Sequence, residues 1–337
     1  VTRICREYVD AFNDFTFALG CKDTVICDFN QSHFEEFKGL LSKIPKHRTK
    51  QTDTKNKSMK QLLAMNMPEE RLFSYETKRK KLTKIIAIFN YAVEHKYLET
   101  NYAESFKFQH KRVRKSKNQN ARRVSLDNAD LQKLFSSPVY TDKADLIKTV
   151  EPEKYWIPLI ALFTGMRQNE ICQLYIDDVR QKEGTWYFNL NDELDKSLKN
   201  ENAFRNVPIH DKLIELGFLQ YYEKAKEERH SRLWPNLSCD LNAEKYNIRF
   251  GKWFMTYFRK HVTTDPTKVF HSLRHTAADM LEELTITDHV PHSAIAAILG
   301  HEDHTENTTK SIYHSGFKVS LLANVLNKTS YALPDLH

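Results

Sequence analysis

Five short segments bring together residue types suited to handling a phosphodiester. In Thr164-Gly165-Met166-Arg167-Gln168-Asn169-Glu170 a cation follows a glycine. Gly165 can end one helix in the left-handed conformation, which puts Arg167 in the first turn of the next. A cation there opposes the helix dipole, so the position makes sense where Arg167 has an anion to bind. Glu170, at i+3 on the same face, can orient the guanidinium. Phe270-His271-Ser272-Leu273-Arg274-His275 sets His271 and Arg274 on one face near a helix start, beside an apolar stripe of Leu273, Ala277, Met280, Leu281 and Leu284. A guanidinium fork with an imidazole donor suits a phosphodiester whose charge grows in a transition state. Ile298-Leu299-Gly300-His301 holds a histidine just past a helix that Pro291 opens and Gly300 stops. Lys199, in a polar loop before Phe204-Arg205-Asn206-Val207-Pro208, can reach a bound substrate as a point donor. Tyr313 stands in Ser311-Ile312-Tyr313-His314, too thinly apolar a stretch to make it a core residue. Taken singly, each has a plainer reading: a surface ion pair, a satisfied helix-start histidine, a loop histidine, an exposed lysine, a surface tyrosine.

The elements that must position these groups are mostly helices. Residues 1–42 carry helical patterning, with Tyr8, Val9, Phe12 and Phe15 on one face and Phe34, Phe37, Leu40 and Leu41 on another. Residues 43–60 read as a loop facing phosphates, with seven basic residues against Asp53 alone. A long helical pattern returns over 69–96 through Leu82, Ile85, Ile86, Phe89 and Val93, its early part carrying Lys78, Arg79, Lys80, Lys81 and Lys84. After residue 123, Ser125 or Asp127 caps a new helix, and an apolar helix over 154–163 ends at Gly165. Ile176–Arg180, Thr185–Leu190 and Phe204–Ile209 read as three short strands, the middle one alternating through Trp186, Phe188 and Leu190. Helices are expected over 211–228, 244–260, 272–284, 291–299, 306–314 and 318–327. The expected fold is mainly α: an all-helical first domain over 1–110, a linker over 111–123, and a mostly α second domain over 124–337 with a small antiparallel three-stranded sheet and a C-terminal tail helix.

Charge divides along the same line. The 337 residues carry a net +7, but up to residue 123 there are 26 Lys and Arg against 14 Asp and Glu, and beyond it 25 against 30. A basic half joined to a slightly acidic half suits a polyanionic partner. Residues 107–123 hold eight Lys and Arg, no acid and almost nothing apolar. Such a segment buries too little to fold alone, and its cations Lys111, Arg112, Arg114, Lys115, Lys117, Arg122 and Arg123 are candidates, with Lys78, Arg79, Lys80 and Lys81, for phosphate contacts that release counterions. Cys5, Cys21, Cys27, Cys172 and Cys239 are an odd set without a CxxC pair, expected to be reduced, buried thiols of a cytoplasmic protein. No apolar run approaches the roughly 20 residues of a membrane span, and no signal-peptide pattern opens the chain. The first residue is Val, which reads as a trimmed start with a segment upstream.

The order and spacing of the five segments are more specific than any one of them. TGxRxxE, a lysine before RxVP, HxxRH, LGH and then a tyrosine resemble the tyrosine recombinase (phage integrase) family over about residues 125–327, and the stretch SYETKRKKLTKIIAIFNYAVEHKYLETN is similar to its helical core-binding domain. The resemblance implies that Arg167 and Arg274 grip the non-bridging oxygens of a scissile phosphate. Tyr313 would attack phosphorus to form a 3′-phosphotyrosyl link, and Lys199 would protonate the leaving 5′-oxygen. His271 would assist proton transfer, His301 would hydrogen-bond the phosphate, and Glu170 would support the site from behind. Phosphoryl transfer is largely positioning and charge neutralisation, so two guanidinium groups can stand where other enzymes use metals. No cofactor and no metal are expected. The segment Glu302–Ser311 looks like a three-residue insertion relative to the family, and Leu198-Lys199-Asn200 replaces its usual Thr-Lys-Thr, which leaves Lys196 a competitor to Lys199.

The resemblance also implies partners: double-stranded DNA with specific recombination sites, a homotetramer on synapsed DNA, accessory DNA-bending or directionality proteins, and no membrane. The location it implies is the cytoplasm, at the nucleoid, in a bacterial or phage-encoded setting. The tail around Phe317–Leu326, apolar through Val319, Leu322, Val325 and Leu326, packs either on its own domain or on a neighbouring protomer. Two other functions compete. A type IB topoisomerase shares the chemistry but relaxes supercoils alone. A metal-dependent nuclease would use the crowd His289, His292, His301, Asp303, His304 and His314, or His271 and His275 at i, i+4, but His301-Glu302-Asp303-His304 falls one residue short of HExxH.

Overall fold

The computed structural model describes residues 3–106, 124–141, 144–198, 203–301 and 317–336. The chain divides into two compact units, residues 1–116 and 117–337. The basic segment 107–123, with all seven of its candidate phosphate contacts, lies outside the described residues.

The described part of the first unit is helical. Its helices are α1 (Arg3–Leu19), α2 (Gln31–Leu41), α3 (Met59–Ala64) and α4 (Tyr75–Glu94), with 3-10 turns at Ile26–Asp28, Glu69–Arg71 and Tyr102–Phe106. Side chains set the starts of three of them: Asn30 accepts from the Ser32 amide at 3.1 Å, Ser58 from the Gln61 amide at 3.3 Å and Ser74 from the Thr77 amide at 3.3 Å. Each such cap is worth about 1 kcal/mol. Phe15 is the hub of the core, with ring centroids of Phe29, Phe34, Phe37 and Phe89 between 4.9 and 5.9 Å away. Aromatic pairs in this range contribute about 0.5–1.5 kcal/mol each beyond simple burial. The inward face of α1 runs through Ala11, Phe15 and Ala18, and Val9 is exposed, so the face expected through Val9 is rotated. The polar segment 43–60 is a series of turns that ends as α3 begins, and the long helix starts at Tyr75 rather than Glu69.

The second unit is mainly α around one small sheet. It comprises α5 (Asn128–Phe135), α6 (Ala144–Val150), α7 (Pro152–Thr164), α8 (Gln168–Cys172), β1 (Val179–Lys182), β2 (Thr185–Leu190), β3 (Arg205–Pro208), α9 (Asp211–Glu215), α10 (Phe218–Glu227), α11 (Asn247–His261), α12 (His271–Thr287), α13 (His292–Leu299) and α14 (Val319–Leu326). The strands are antiparallel in the order β1-β2-β3, with Val179 opposite Phe188 and Phe188 opposite Val207. Residues 176–178 form a 3-10 turn leading into β1, so the first strand starts three residues later than its apolar content suggests. The helix expected over 211–228 is broken at Gly217, whose φ of +90° ends α9 and opens α10. Asp127, not Ser125, caps α5. Helix α7 is the axis of the unit: every residue from Tyr155 to Thr164 is buried, which is why it reads as an unbroken apolar run.

Among the described residues no helix is long and apolar enough to cross a membrane. The five cysteines form no disulfide; Cys172 is buried, but Cys5 and Cys27 are exposed, against the expectation of buried thiols.

Candidate active site

Two left-handed glycines frame the site. Gly165 (φ +66°) closes α7 and Gly300 (φ +64°) closes α13. At Gly165 space is as restrictive as conformation, since an added Cβ would lie 2.5 Å from Leu299 Cδ2 and 3.6 Å from Ala277 Cβ. The ends of α7 and α13 therefore meet against α12, and both present carbonyl groups that carry partial negative charge.

Three guanidinium groups occupy that meeting point. Arg274, on the first turn of α12 and buried, donates to Gly165 O at 2.5 Å, to Leu299 O at 2.6 Å and to His301 Nε2 at 2.8 Å. Arg167 donates to Gly300 O at 3.0 Å and to Glu170 Oε1 at 2.6 Å, and its backbone amide reaches Glu170 Oε2 at 2.9 Å. Arg205, from β3, donates to Glu170 Oε2 at 2.9 Å, to Ile298 O at 2.8 Å and to Ala203 O at 3.1 Å. Arg167 is the N-cap residue of α8, with extended φ and ψ, not part of its first turn. Its guanidinium is thus held by the C-terminal carbonyl of α13, where a cation is favoured.

Charge does not balance here. Glu170 is the one carboxylate paired to these arginines, so three guanidinium groups face a single negative charge among the described residues. Burial pushes the Glu170 pKa up, but the charge and hydrogen bonds of Arg205 and the hydrogen bonds of Arg167 outweigh it and hold the carboxyl below its ordinary value. For Arg274, burial and then repulsion from Arg167 and Arg205 bring the pKa down to about 9, still charged at neutral pH. His301 is pushed down to about 4 by burial and by Arg274, Arg167 and Arg205. It is therefore neutral at pH 7. With Nε2 accepting from Arg274, its proton sits on Nδ1, which can donate to an anion. His271 and His275 are half-buried neighbours on α12, ring centroids 4.8 Å apart and edge to face.

Comparison with known proteins fits this arrangement. Residues 126–318, more than half of the chain, match the phage integrase family. The chain belongs to that family. It is a tyrosine-type DNA strand-transferase, a site-specific recombinase or integrase. Solved structures similar to it include the Tn1549 transposon integrase in complex with transposon right end DNA, at 16% identity, covering 92% of this chain and 96% of that chain with a TM-score of 0.49. A lambda integrase dimer bound to a core site covers 90% and 87% at 13% identity with a TM-score of 0.49, and the XerH recombinase bound to its difH substrate covers 91% and 77% at 16% identity with a TM-score of 0.48. No curated protein matches the chain.

Of the residues singled out from the sequence of this recombinase, Arg167 pairs directly with Glu170 and Arg274 with His301, and the two pairs meet through the carbonyls that end α7 and α13. Lys199 and Tyr313 lie outside the described residues, as do Asp303, His304, His314 and the helix expected over 306–314. Lys196 is buried, its Nζ 2.6 Å from Asp178 Oδ1. In the first unit the basic run of α4 divides. Lys81 turns inward onto Asp14, which Arg48 also grips at 3.1 Å, and Lys84 pairs with Glu7 at 2.7 Å. Arg79 is tied to Glu76 at 2.8 Å; Lys80, 64% exposed, stands 3.8 Å from the same carboxylate, and Lys78 is half-buried.

Arg205 is the member that the sequence reading used only as a landmark. A signal for it existed. Alternation along β3 puts Arg205 on the same face as Val207, which is fully buried, and a cation pointing into a core needs a partner there.

Proposed function

We propose that this recombinase cuts and rejoins double-stranded DNA at specific sites through a 3′-phosphotyrosyl intermediate on Tyr313, without metal or ATP. The observation that carries this reading is the surplus positive charge held by Arg167, Arg205 and Arg274 against Glu170 alone. A phosphodiester contributes one negative charge and its transition state concentrates more on the non-bridging oxygens, so a preorganised cationic site binds the transition state more strongly than the ground state. Arg167 and Arg274 donate to those oxygens, and the Nδ1 proton of His301 adds a third donor. The Tyr313 oxygen forms its bond to phosphorus as the bond to the 5′-oxygen breaks, and Lys199 gives that oxygen a proton. His271 serves proton transfer at the tyrosine. The burial of Lys196 against Asp178 supports Lys199 for the acid role. The phosphotyrosyl bond conserves the energy of the broken linkage, so religation needs no external energy source.

The first unit and the basic segment after it supply DNA binding in this reading, through Lys78, Arg79 and Lys80 on α4 and the cations between 111 and 123. The working assembly is a tetramer on two synapsed sites. The fitting tasks are integration and excision of a mobile element, with accessory DNA-bending or directionality proteins and a location at the nucleoid. Covalent trapping tests the core of the proposal. A nicked duplex from the ends of the element carrying the gene is incubated in EDTA with wild-type protein and with Tyr313→Phe, then resolved on a denaturing gel. A metal-independent adduct absent from the variant is expected. An adduct that persists in Tyr313→Phe would show that another residue is the nucleophile.

A further inference from the structure

The connection between β2 and β3 carries Lys199, and its leading arm is fastened with unusual density. Gln173, buried at the end of α8, makes a two-way pair with the backbone of Ser197: the Ser197 amide donates to Gln173 Oε1 at 3.1 Å and Gln173 Nε2 donates to Ser197 O at 3.3 Å. Lys196 is tied to Asp178, which also accepts from Asn191 Nδ2 at 3.1 Å and from the Tyr175 amide at 2.8 Å. Asp195 accepts from Tyr175 Oη at 2.7 Å, from Tyr246 Oη and from Arg232. The Arg232 guanidinium lies between the Tyr175 and Tyr246 rings, 4.0 and 3.8 Å from their centroids, and also donates to Gln173 O at 2.9 Å.

Stability alone does not call for this arrangement. Asp195 is half exposed, its side chain 52% accessible, and a surface ion pair of that kind contributes little. Yet three side chains from three separate segments converge on it. Burial works to raise its pKa, but the hydrogen bonds from Tyr246, Tyr175 and Arg232 prevail and keep it ionised. Such convergence fixes a backbone position: Asp195, Lys196 and Ser197 are each fastened to a different group in the segment 173–178, and Lys199 follows Ser197 by two residues. Building on the proposed role of Lys199 as general acid, we propose that Asp195, clamped by Arg232, Tyr175 and Tyr246, together with Gln173, is a positioning residue that delivers the Lys199 ammonium to the leaving 5′-oxygen.

A general acid matters only when the leaving group needs a proton. With a substrate whose scissile 5′-oxygen is replaced by sulfur, the thiolate leaves unprotonated, because a thiol's pKa is about 8.5. The test measures single-turnover covalent-complex formation on ordinary and on 5′-bridging-sulfur DNA, for wild-type protein, Asp195→Ala, Asp195→Asn and Lys199→Ala. Asp195→Ala is expected to slow cleavage of ordinary DNA about 10- to 100-fold, as small misplacements of a reacting group do, and to cleave the sulfur substrate within about 3-fold of wild type. Asp195→Asn, which keeps the shape and one of the two acceptor oxygens, falls between the two and guards against a folding failure of the alanine variant. Equal slowing on both substrates, or none on either, overturns the positioning role. Lys199→Ala separates this from the reading beneath it. Its slowing, about 10²- to 10⁴-fold for a lost general acid, should be relieved by sulfur; if it is not, Lys199 is not the acid, whereas relief in Lys199→Ala without relief in Asp195→Ala rejects only the clamp.

Discussion

The Glu170 cluster predicts an inversion between stability and activity. Glu170 and Arg205 have side chains only 5% and 7% exposed, and Arg167 at 21% is the second partner of the same carboxylate. Removing one member of a buried pair leaves an uncompensated charge and costs about 3–5 kcal/mol. Glu170→Gln, which keeps shape and removes charge, strands Arg205 beside Arg167 and Arg274 and should fall in that range. Arg205→Met leaves Glu170 with Arg167 and should cost less, about 1–3 kcal/mol. In the double variant Glu170→Gln/Arg205→Met neither charge remains, so its cost should fall short of the sum by about 1–3 kcal/mol, the size of coupling expected between contacting groups. Activity should not follow. Glu170→Gln, alone or in the double variant, removes the carboxylate that holds Arg167, and covalent-complex formation should drop about 100-fold in both, while Arg205→Met keeps the Arg167–Glu170 pair and should lose less.

The assay is favoured by where tryptophan occurs. Trp156, Trp186, Trp234 and Trp253 are the four tryptophans of the chain, and all belong to the second unit, so tryptophan fluorescence in urea, excited where tyrosine does not absorb, follows that unit. A double variant whose cost equals the sum of the singles would refute the charge argument, as would a Glu170→Gln variant as stable as wild type. The acid limb supplies a check of sign. The folded pKa of Glu170 is depressed, so its stabilisation is complete above its ordinary value near 4.5 and is lost as pH falls through the lower folded value. Wild type should lose stability in that window more steeply than Glu170→Gln.

Three further outcomes follow from the same geometry. His301, with its pKa held near 4, does not change protonation above pH 5.5, so the rate ratio of wild type to His301→Gln in covalent-complex formation should stay constant from pH 5.5 to 8.5; a tenfold change centred near the ordinary histidine value would contradict it. Gly165→Ala meets Leu299 at 2.5 Å at a φ of +66° and should cost about 2–5 kcal/mol by fluorescence-detected unfolding, the sum of a left-handed penalty and overpacking, and a near-neutral result would count against the close approach. Lys81→Gln should lower the stability of the first unit, measured by far-ultraviolet melting of the whole chain, because it removes one of the two cations that hold the buried Asp14 and leaves Arg48 alone on it, whereas Lys80→Gln should leave stability unchanged and reduce the salt slope of DNA binding by about one unit.

The sequence disclosed most where periodicity and end signals act together. The fully buried α7 reads as one apolar run, and its stop at Gly165 is legible because a glycine there has a conformational reason. The strand β2 is legible from its alternation, and the tail helix from its apolar face. What escaped has physical causes. Gly217 breaks α9 from α10 inside a continuous helical pattern, since a single glycine is tolerated within such a pattern as often as it ends one. Arg167 moves from the first helical turn to the N-cap because the chain is extended there and the Glu170 side chain accepts from its backbone amide, which starts the helix one residue later. Arg205 escaped because a cation on a short strand looks exposed until its neighbour Val207 is known to be buried. The basic run on α4 looks uniform, but which lysines face inward depends on Asp14 and Glu7, residues some 70 positions earlier. The tail could pack on its own domain or elsewhere. In the structure Leu322 and Leu326 join the apolar cluster of α12 and α13, and Thr329 O accepts from His210 at 3.2 Å, so it seals the second unit from within.

That seal bears on how the cationic site exists at all. Three guanidinium groups beside one carboxylate, those of Arg274 and Arg205 buried and that of Arg167 partly so, repel one another in an environment of lowered dielectric. The fold offsets this with oriented carbonyls rather than with acids: Gly165 O and Leu299 O hold Arg274, Gly300 O holds Arg167, and Ile298 O holds Arg205. These carbonyls are the ends of α7 and α13, fixed in place by left-handed glycines and by packing of α13 against α12 and α14. A carboxylate in their place would neutralise the arginines and compete with the phosphate for them. A helix terminus stabilises the cations only in part, leaving their charge available to an incoming anion. Helix ends thus solve the folding problem of the arginine cluster without cancelling the charge that the proposed phosphate contact would use. The residues that keep α13 in register, Gly300, Leu299 and the apolar contacts of α14, hold the carbonyls that in turn hold the three arginines, so the proposed recognition of a phosphate depends on them as well.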